Sequence, residues 1–372
     1  MNVAIIGAGF VADFYMRSLR TMPEVRVAAV WDVKTERLGA FCRYWGLTPA
    51  SGLADILARR PDLVLNLTNP EAHFEVTKAC LEAGLSVYSE KPLATKFQDA
   101  VALHALAAQN GLALASAPCS FLGETAQAAW KALRDGAIGT PRLVYAEIDD
   151  GFITGAPYAK WRSESGAPWP AQDEFAVGCT LEHAGYYLTW LIAMFGSVSK
   201  VVSASANALD LKLADGSPAA PNYASASLFF ESGMVARLTC TIIASHDRSL
   251  RIFGDEGVLE VDDCWSNDAA VRVRRRHVLR RRLVESPFTR RVRVRGPTHP
   301  KLPRRGSTAM NFALGPYEML SARASGRPSR LNADLALHLT EVTLAIQDAG
   351  SDGGSKAIVS RAPEAVPMTW AT

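Results

Sequence analysis

The chain has 372 residues, 48% apolar and 21% charged, a globular composition long enough for two or three domains and incompatible with a disordered or collagen-like polymer. No apolar run reaches the ~20 residues of a membrane span, no basic leader precedes the first strand, and six cysteines with no CxxC spacing form neither a zinc nor a disulfide pattern, so we expect a reduced, cytoplasmic chain without a metal. The net charge of +3 is uneven: eleven arginines lie between Arg272 and Arg295 beside one acid, Glu285, while the rest holds 29 basic and 36 acidic residues, an acidic body with one cationic segment.

Residues 1–120 alternate short apolar runs (3–6, 25–30, 63–67, 85–88 and 112–115) with helical patterns near 10–21, 35–44, 52–59, 71–83 and 96–110. Continuously apolar strands alternating with helices predict a doubly wound parallel sheet, covered on both faces. A further helix fits 122–135, closed by Gly136. The pattern then changes. Runs at 142–148, 198–206, 224–230, 235–243, 249–253 and 258–261 are separated by Gly, Asp and Ser turns without intervening helices, which predicts an antiparallel sheet. Helices fit 179–195, 308–324 and 331–349. The fold expected is α/β, with an N-terminal Rossmann domain over 1–120 and a C-terminal α/β domain over 121–372 carrying a large, mostly antiparallel open sheet. The helix near 331–349 is expected to pack back on the first domain.

The first strand runs into Gly7-Ala8-Gly9-Phe10-Val11-Ala12, a Gly-x-Gly-x-x-Ala turn before a helix. Gly7 permits the tight turn and Gly9 lets the backbone approach a pyrophosphate. Ala12 permits close helix–strand packing, and the helix opened by Phe10 and Val11 points its positive dipole end at the phosphates. Asp32 ends the second strand, 20 residues after Ala12, where a carboxylate would grip ribose hydroxyls. Its charge would repel a 2′-phosphate, so NAD is favoured over NADP, with Lys34 and Arg37 nearby tempering that preference. Two more strand ends are suggestive, because ligands of open α/β sheets bind there. Thr68-Asn69-Pro70-Glu71-Ala72-His73 leads from one strand into a helix, and Glu90-Lys91-Pro92 closes the next. Pro92 biases Lys91 towards extended backbone, aiming its ammonium into the crevice.

These motifs, in this order, resemble the glucose–fructose oxidoreductase / inositol dehydrogenase / rhizopine-catabolism (Gfo/Idh/MocA) family. The resemblance extends through Trp161-Arg162, the helix from Gly178 to Gly196, and a closing pattern from Phe312-x-x-Gly315 through Gly326-Arg327-Pro328 to the Glu341 helix. It implies a nicotinamide near Lys91, cofactor contacts from Thr68, Asn69, His73, Glu90 and Lys91, and a sugar, cyclitol or related polyol as substrate. It also implies a homo-oligomer through the C-terminal sheet. Where the family carries Asp-x-Gly-x-His, this chain reads His183-Ala184-Gly185-Tyr186-Tyr187. Some members place a tyrosine at the His position; the histidine at the Asp position is a departure. Residues 183 and 187 share a helix face at i, i+4. With Lys91, His183 and Tyr187 are therefore the candidate catalytic residues. A nearby ammonium and an oxidised nicotinamide would lower the Tyr187 pKa from ~10, and His183 would relay a proton or bond a hydroxyl.

Weaker signals are Trp161 and Arg162, which could stack on a sugar and bind its oxygens, and Cys119, which follows the last Rossmann strand. His73 fits either the nicotinamide pocket or an ordinary first helical turn. The alternating Val/Arg segment reads as a solvated sheet face or subunit contact. An anionic substrate is a minor option there, and nucleic acid is disfavoured because no aromatic interleaves it. Three functions follow. The first is an NAD-dependent sugar or polyol dehydrogenase. The second, implied by the family, is an NAD-dependent glycoside hydrolase that oxidises, eliminates and rehydrates with cofactor recycling, using His183 or Glu182 as the extra base. The third is a redox-inert NAD-binding regulator.

Overall fold

The computed structural model describes residues 1–302 and 309–372. The first unit runs β1 (Asn2–Ile6), α1 (Phe10–Leu19), β2 (Arg26–Trp31), α2 (Thr35–Trp45), α3 (Leu53–Ala58), β3 (Leu63–Asn66), α4 (His73–Glu82), β4 (Val87–Ser89), α5 (Phe97–Gln109) and β5 (Leu114–Ser116). Its five strands pair in the order β2-β1-β3-β4-β5, every pairing parallel. β3 is buried on both faces, as a sheet covered by crossover helices requires.

After α6 (Glu124–Arg134) the chain lays down β6 (Pro141–Asp149), α7 (Ala171–Val177), one π-helical turn over Thr180–Ala184, and α8 (Gly185–Phe195). There follow β7 (Val198–Ala206), β8 (Tyr223–Phe230), β9 (Val235–Thr241), β10 (Leu250–Gly254), β11 (Gly257–Val261), β12 (Val271–Leu279), β13 (Arg282–Glu285) and β14 (Arg290–Val292), then α9 (Leu314–Ala324), α10 (Ala333–Gln347) and β15 (Gly354–Ala357). These strands form one ten-stranded sheet in the order β13-β12-β11-β10-β6-β9-β8-β7-β15, with β14 also on β12. Its pairings are antiparallel except β6 with β9. The α/β architecture is thus a parallel Rossmann sheet followed by a large, mostly antiparallel one. The helix read at 308–324 is α9 from Leu314 onwards; residue 308 lies outside the described residues. The arginine segment forms β12 to β14. Val271 and Val273 are buried while Arg272 and Arg274 alternate with them, reaching Asp262 and Glu260.

One buried apolar cluster runs from Val3 and Ile5 through Tyr88, Tyr187 and Trp190 to Val144, Ala236 and Leu238, so the two sheets share a core. α10 lies across the junction. It packs on α5 and β5 on one side and on β7 and the π turn on the other. No described helix is long and apolar enough to cross a membrane. The six cysteines are free and buried.

Candidate functional site

The carboxyl ends of β1, β3 and β4 open into a cleft of about 550 Å³ whose far wall is the second domain, within the usual size range of small-molecule sites. At the β1 end, Gly7 has φ +99°, and a Cβ there would lie 2.4 Å from the Leu67 carbonyl oxygen. Only glycine fits. Gly9 faces open space, with nothing within 4 Å of a Cβ built on it. It caps α1 without a side-chain bond to the first-turn N–H groups. The turn thus offers an unblocked backbone and a free positive helix end, which suits a pyrophosphate. Gly9, Phe10 and Val11 line the cleft.

Asp32 is held differently from the expectation that it stands ready for a ribose. Its Oδ2 accepts from Ala8 N at 2.7 Å and Arg37 Nε at 2.9 Å; its Oδ1 accepts from Lys34 N at 2.7 Å and Arg37 Nη2 at 2.8 Å. Lys34 and Arg37, rather than Asp32, line the cleft. Thr68 and Asn69 line its middle, and Asn69 Nδ2 reaches across to Asp173 Oδ2 at 2.7 Å, bridging to α7. His73 is a bolt as well as a lining residue: its ring nitrogens lie 2.6 Å from the Pro92 carbonyl and 2.9 Å from that of Thr68. Burial lowers its pKa despite both carbonyls. Glu90 accepts from the Tyr15 hydroxyl at 2.6 Å and from Lys91 N at 3.1 Å, which fixes the strand end that presents Lys91.

The Lys91 ammonium forms a close ion pair with Glu182, from the π turn. Burial opposes the Lys91 charge, but Glu182, then Glu174, Tyr186 and Glu90, outweigh it and hold its pKa above the ordinary value. Burial likewise opposes the Glu182 charge, and Lys91 reverses this, so Glu182 titrates below the usual range. Glu174, on α7, is pushed well above that range by burial and by the Glu182 charge it faces. The neutral acid of Glu174 hydrogen-bonds the Glu182 carboxylate. The Lys91 ammonium and the Glu174 acid thus flank the Glu182 carboxylate.

Tyr187 is not in the cleft. Its hydroxyl donates to the Arg248 backbone carbonyl, its ring packs on Trp190 at 5.4 Å, and it is fully buried. The neighbouring Tyr186 lines the cleft instead. The cause is the π turn at Thr180–Ala184, which turns Glu182 to Lys91, so the cleft receives the i, i+4 pair Glu182 and Tyr186 together with His183. Nor is either tyrosine acidified. Burial raises Tyr187, and it raises Tyr186 against the opposing Lys91 charge; both remain phenols at neutral pH. Two further candidates also stand apart. Cys119 is buried beneath Phe312, its Sγ 3.6 Å from that carbonyl, and burial pushes the thiol up to about 11. The Arg162 guanidinium turns back onto the Ala159 and Trp161 carbonyls at 2.9 and 2.8 Å. Trp161 does line the cleft.

His183 faces the cleft from the far wall. Burial and the Lys91 charge push its pKa to about 3, so the ring is neutral. Its Nε2 lies 3.5 Å from Asp150 Oδ2. Asp150 follows β6, and burial drives it up to about 7 against the pull of Arg248. His246, Arg248 and Trp265 complete this wall. None of Asp150, Glu174, Tyr186, His246, Arg248 and Trp265 is among the candidate site residues that the sequence offers. The one available signal is position: Asp150 immediately follows β6, as the Glu90-Lys91 pair follows β4. Among the described residues, no group of three His, Cys, Asp or Glu side chains is arranged to hold a metal.

Two family models match the chain: an oxidoreductase family with an NAD-binding Rossmann fold over residues 1–117, and the C-terminal domain of the same family over 126–260. The chain belongs to the Gfo/Idh/MocA family. D-apiose dehydrogenase of Paraburkholderia graminis is 26% identical over 270 residues, 69% of this chain and 66% of the relative, just under two thirds of its length. Trans-1,2-dihydrobenzene-1,2-diol dehydrogenase of Bos taurus is 24% identical over 268 residues, 70% of this chain and 74% of that one. Among solved structures, aldose–aldose oxidoreductase of Caulobacter crescentus superposes with a TM-score of 0.70 at 20% identity, covering 96% and 99% of the two chains. The WlbA dehydrogenase of Bordetella pertussis, solved with NADH and UDP-GlcNAcA, gives 0.69 at 17%, covering 96% and 98%. At these identities the structures establish the shared fold.

Proposed function

We propose that this Gfo/Idh/MocA oxidoreductase transfers hydride between a nicotinamide dinucleotide and a carbinol carbon of a sugar or related polyol. The observation that carries this reading is the Lys91–Glu182 ion pair at the strand end, in the cleft that the glycine turn opens. Gly9, Phe10, Val11, Thr68 and Asn69 would hold the dinucleotide, which supplies the hydride acceptor or donor. Arg37 and Lys34 line the cleft while Asp32 is already paired, which supports acceptance of NADP as well as NAD. Dehydrogenase relatives named for apiose and for a vicinal diol support a polyhydroxylated substrate.

In the oxidising direction the carbinol C–H bond breaks with its electron pair leaving as hydride, and the C–O bond becomes a carbonyl. The hydroxyl proton needs an acceptor in the same step. Lys91, a fixed cation, stabilises charge developing on the oxygen. Neutral His183 accepts the proton at Nδ1 as its Nε2 proton passes towards Asp150 Oδ2, 3.5 Å away, so that Asp150, with a pKa of about 7, is the final acceptor and no imidazolium has to persist. Tyr186, a phenol beside Lys91, donates to the reacting or adjacent oxygen.

The second acid–base pair, His183 with Asp150, favours one alternative over the rest. Cleaving a glycoside by transient oxidation requires a base for the C–H proton beyond the group that serves the hydroxyl, and this cleft has two such centres. The deciding experiment adds NAD and a panel of free sugars and aryl glycosides to the purified protein. Growth of the reduced-nicotinamide absorbance with a free sugar, abolished in Lys91→Ala, supports the dehydrogenase. NAD-dependent aglycone release without net NADH sinks it in favour of the hydrolase.

A further inference from the structure

The far wall holds more unmet hydrogen-bonding capacity than the reaction uses. Asp150 Oδ1, Arg248 Nη1 and Trp265 Nε1 are shut off from solvent and have no hydrogen-bond partner among the described residues, and neither does His183 Nδ1. A buried polar atom left without a partner is destabilising, so each of these is poised for one. All four belong to side chains lining the same cleft. The sheet register gathers them. Asp149 and Asp247 exchange backbone bonds of 2.8 and 3.0 Å, which sets Asp150 opposite His246 and diagonal to Arg248 on the same face, just beyond where β6 and β10 pair. Trp265 follows β11 on the other side of β10, and the Arg248 guanidinium stacks 4.0 Å from its ring.

This wall already supplies a carboxyl partner for its cation. Arg248 lies 3.9 Å from Asp150 and 3.8 Å from Asp263, so two carboxyls face one guanidinium. His246 adds an imidazole 3.7 Å from Asp150 and 3.3 Å from Arg248 Nη2. Lys91, the other cation in reach, is paired with Glu182. None of these spacings to Asp150 is a hydrogen bond. With His183 Nδ1 taken by the reacting hydroxyl, the remaining unmet set contains donors (Arg248, Trp265) and an acceptor (Asp150 Oδ1). A carboxylate could satisfy only the donors and would meet Asp150. Two neighbouring hydroxyls, each able to donate and accept, satisfy both kinds.

We propose that Asp150, Arg248 and Trp265 form a specificity subsite for an uncharged vicinal diol on the non-reacting part of the substrate, and that Asp150 excludes carboxylates from it. This rests on the polyol reading above and adds which polyols enter. The test is calorimetric binding of glucose, galactose and myo-inositol, against glucuronate and galacturonate, to the NAD-loaded protein. Bound-NADH fluorescence reports that each variant is folded. The neutral compounds should bind at least tenfold more tightly than the uronates. Trp265→Phe, which deletes the N–H donor while keeping an aromatic ring beneath Arg248, should weaken the neutral ligand about tenfold. Asp150→Asn should raise uronate affinity about tenfold, a gain that misfolding cannot mimic. The proposal is overturned if uronates bind as tightly as neutral polyols, if no neutral polyol binds, if Asp150→Asn brings no gain, or if Trp265→Phe changes nothing. Neutral polyol binding that meets these criteria without turnover supports the subsite and counts against the dehydrogenase reading alone.

Discussion

Lys91 and Glu182 depend on one another. Each is buried, and each keeps its charge because the other is there. Removing the lysine leaves Glu182 and Glu174 to share a buried site with no cation between them. Removing a positioned group that stabilises developing negative charge typically costs about 10²–10³ in rate. Lys91→Ala should therefore lower kcat by about 10³-fold while NADH binding, followed by fluorescence, stays within a few-fold. An equal loss of NADH affinity would place the lysine's main work on the cofactor. His338 makes a different prediction, about stability. Its Nε2 accepts from Val198 N at 3.0 Å, and Nδ1 faces Ser360 Oγ at 3.0 Å. The backbone donor requires a bare Nε2, and burial pushes the pKa to about 4. A histidine depressed in the folded state protects it fully above its unfolded value near ~6.5, and that protection is lost as pH falls towards 4. The window is worth on the order of 3 kcal/mol. Denaturation midpoints compared at pH 7 and pH 4.5 should show His338→Gln losing less stability on acidification than the parent. Equal losses would show that His338 does not govern the acid limb.

At the scale of elements, the π turn decides which tyrosine faces the cleft and which one packs. Tyr186→Phe should slow turnover with little change in melting temperature. Tyr187→Phe should instead cost about 1–3 kcal/mol of stability, since it removes the only described side-chain donor to a buried carbonyl. Paired kinetics and thermal melts separate the two, and the reverse pattern would return Tyr187 to the chemistry. This is also where the sequence was least legible. The Rossmann strands were readable because each is a short apolar run closed by Gly, Asn or Pro, and Gly7, Glu90 and Lys91 fall at those closures. The sheet strands from β6 to β11 were readable from alternation and turns. α7, with seven residues after Pro170, and β15, an exposed Gly-Ser-Lys-Ala edge strand, carry too little periodicity to register. A π turn has the composition of an α turn, so the spacing of 183 and 187 looked right while the geometry brought Glu182 and Tyr186 to the cleft. Asp150 lies far in sequence from Arg248 and Trp265, and the three meet only through strand register, which one chain's periodicity does not encode.

On the scale of the whole molecule, the cleft works only if its two walls keep their spacing, because Lys91 comes from one wall and Glu182, His183 and Asp150 come from the other. α10 is the brace. Ala336 sits in the core on the outer face of the Rossmann sheet, 3% exposed, while Leu335, Leu339, Val342 and Ile346 belong to the cluster shared by both sheets. Asp334 also meets His104 of α5 at 2.6 Å. A shared core of this kind makes unfolding of one wall expose the other. The parent protein should therefore melt in a single calorimetric transition. NADH at about a hundred times its Kd should raise the stability of the whole chain by about 2.7 kcal/mol, with no second peak left behind. Ala336→Glu places an unpaired charge in the Rossmann-side core without touching the cleft. It should split the transition in two, with only the earlier, Rossmann-side peak moving with NADH. Two transitions in the parent would mean that the walls are independent bodies, and the spacing between Lys91 and His183 would then have to be set by the ligand that fills the cleft.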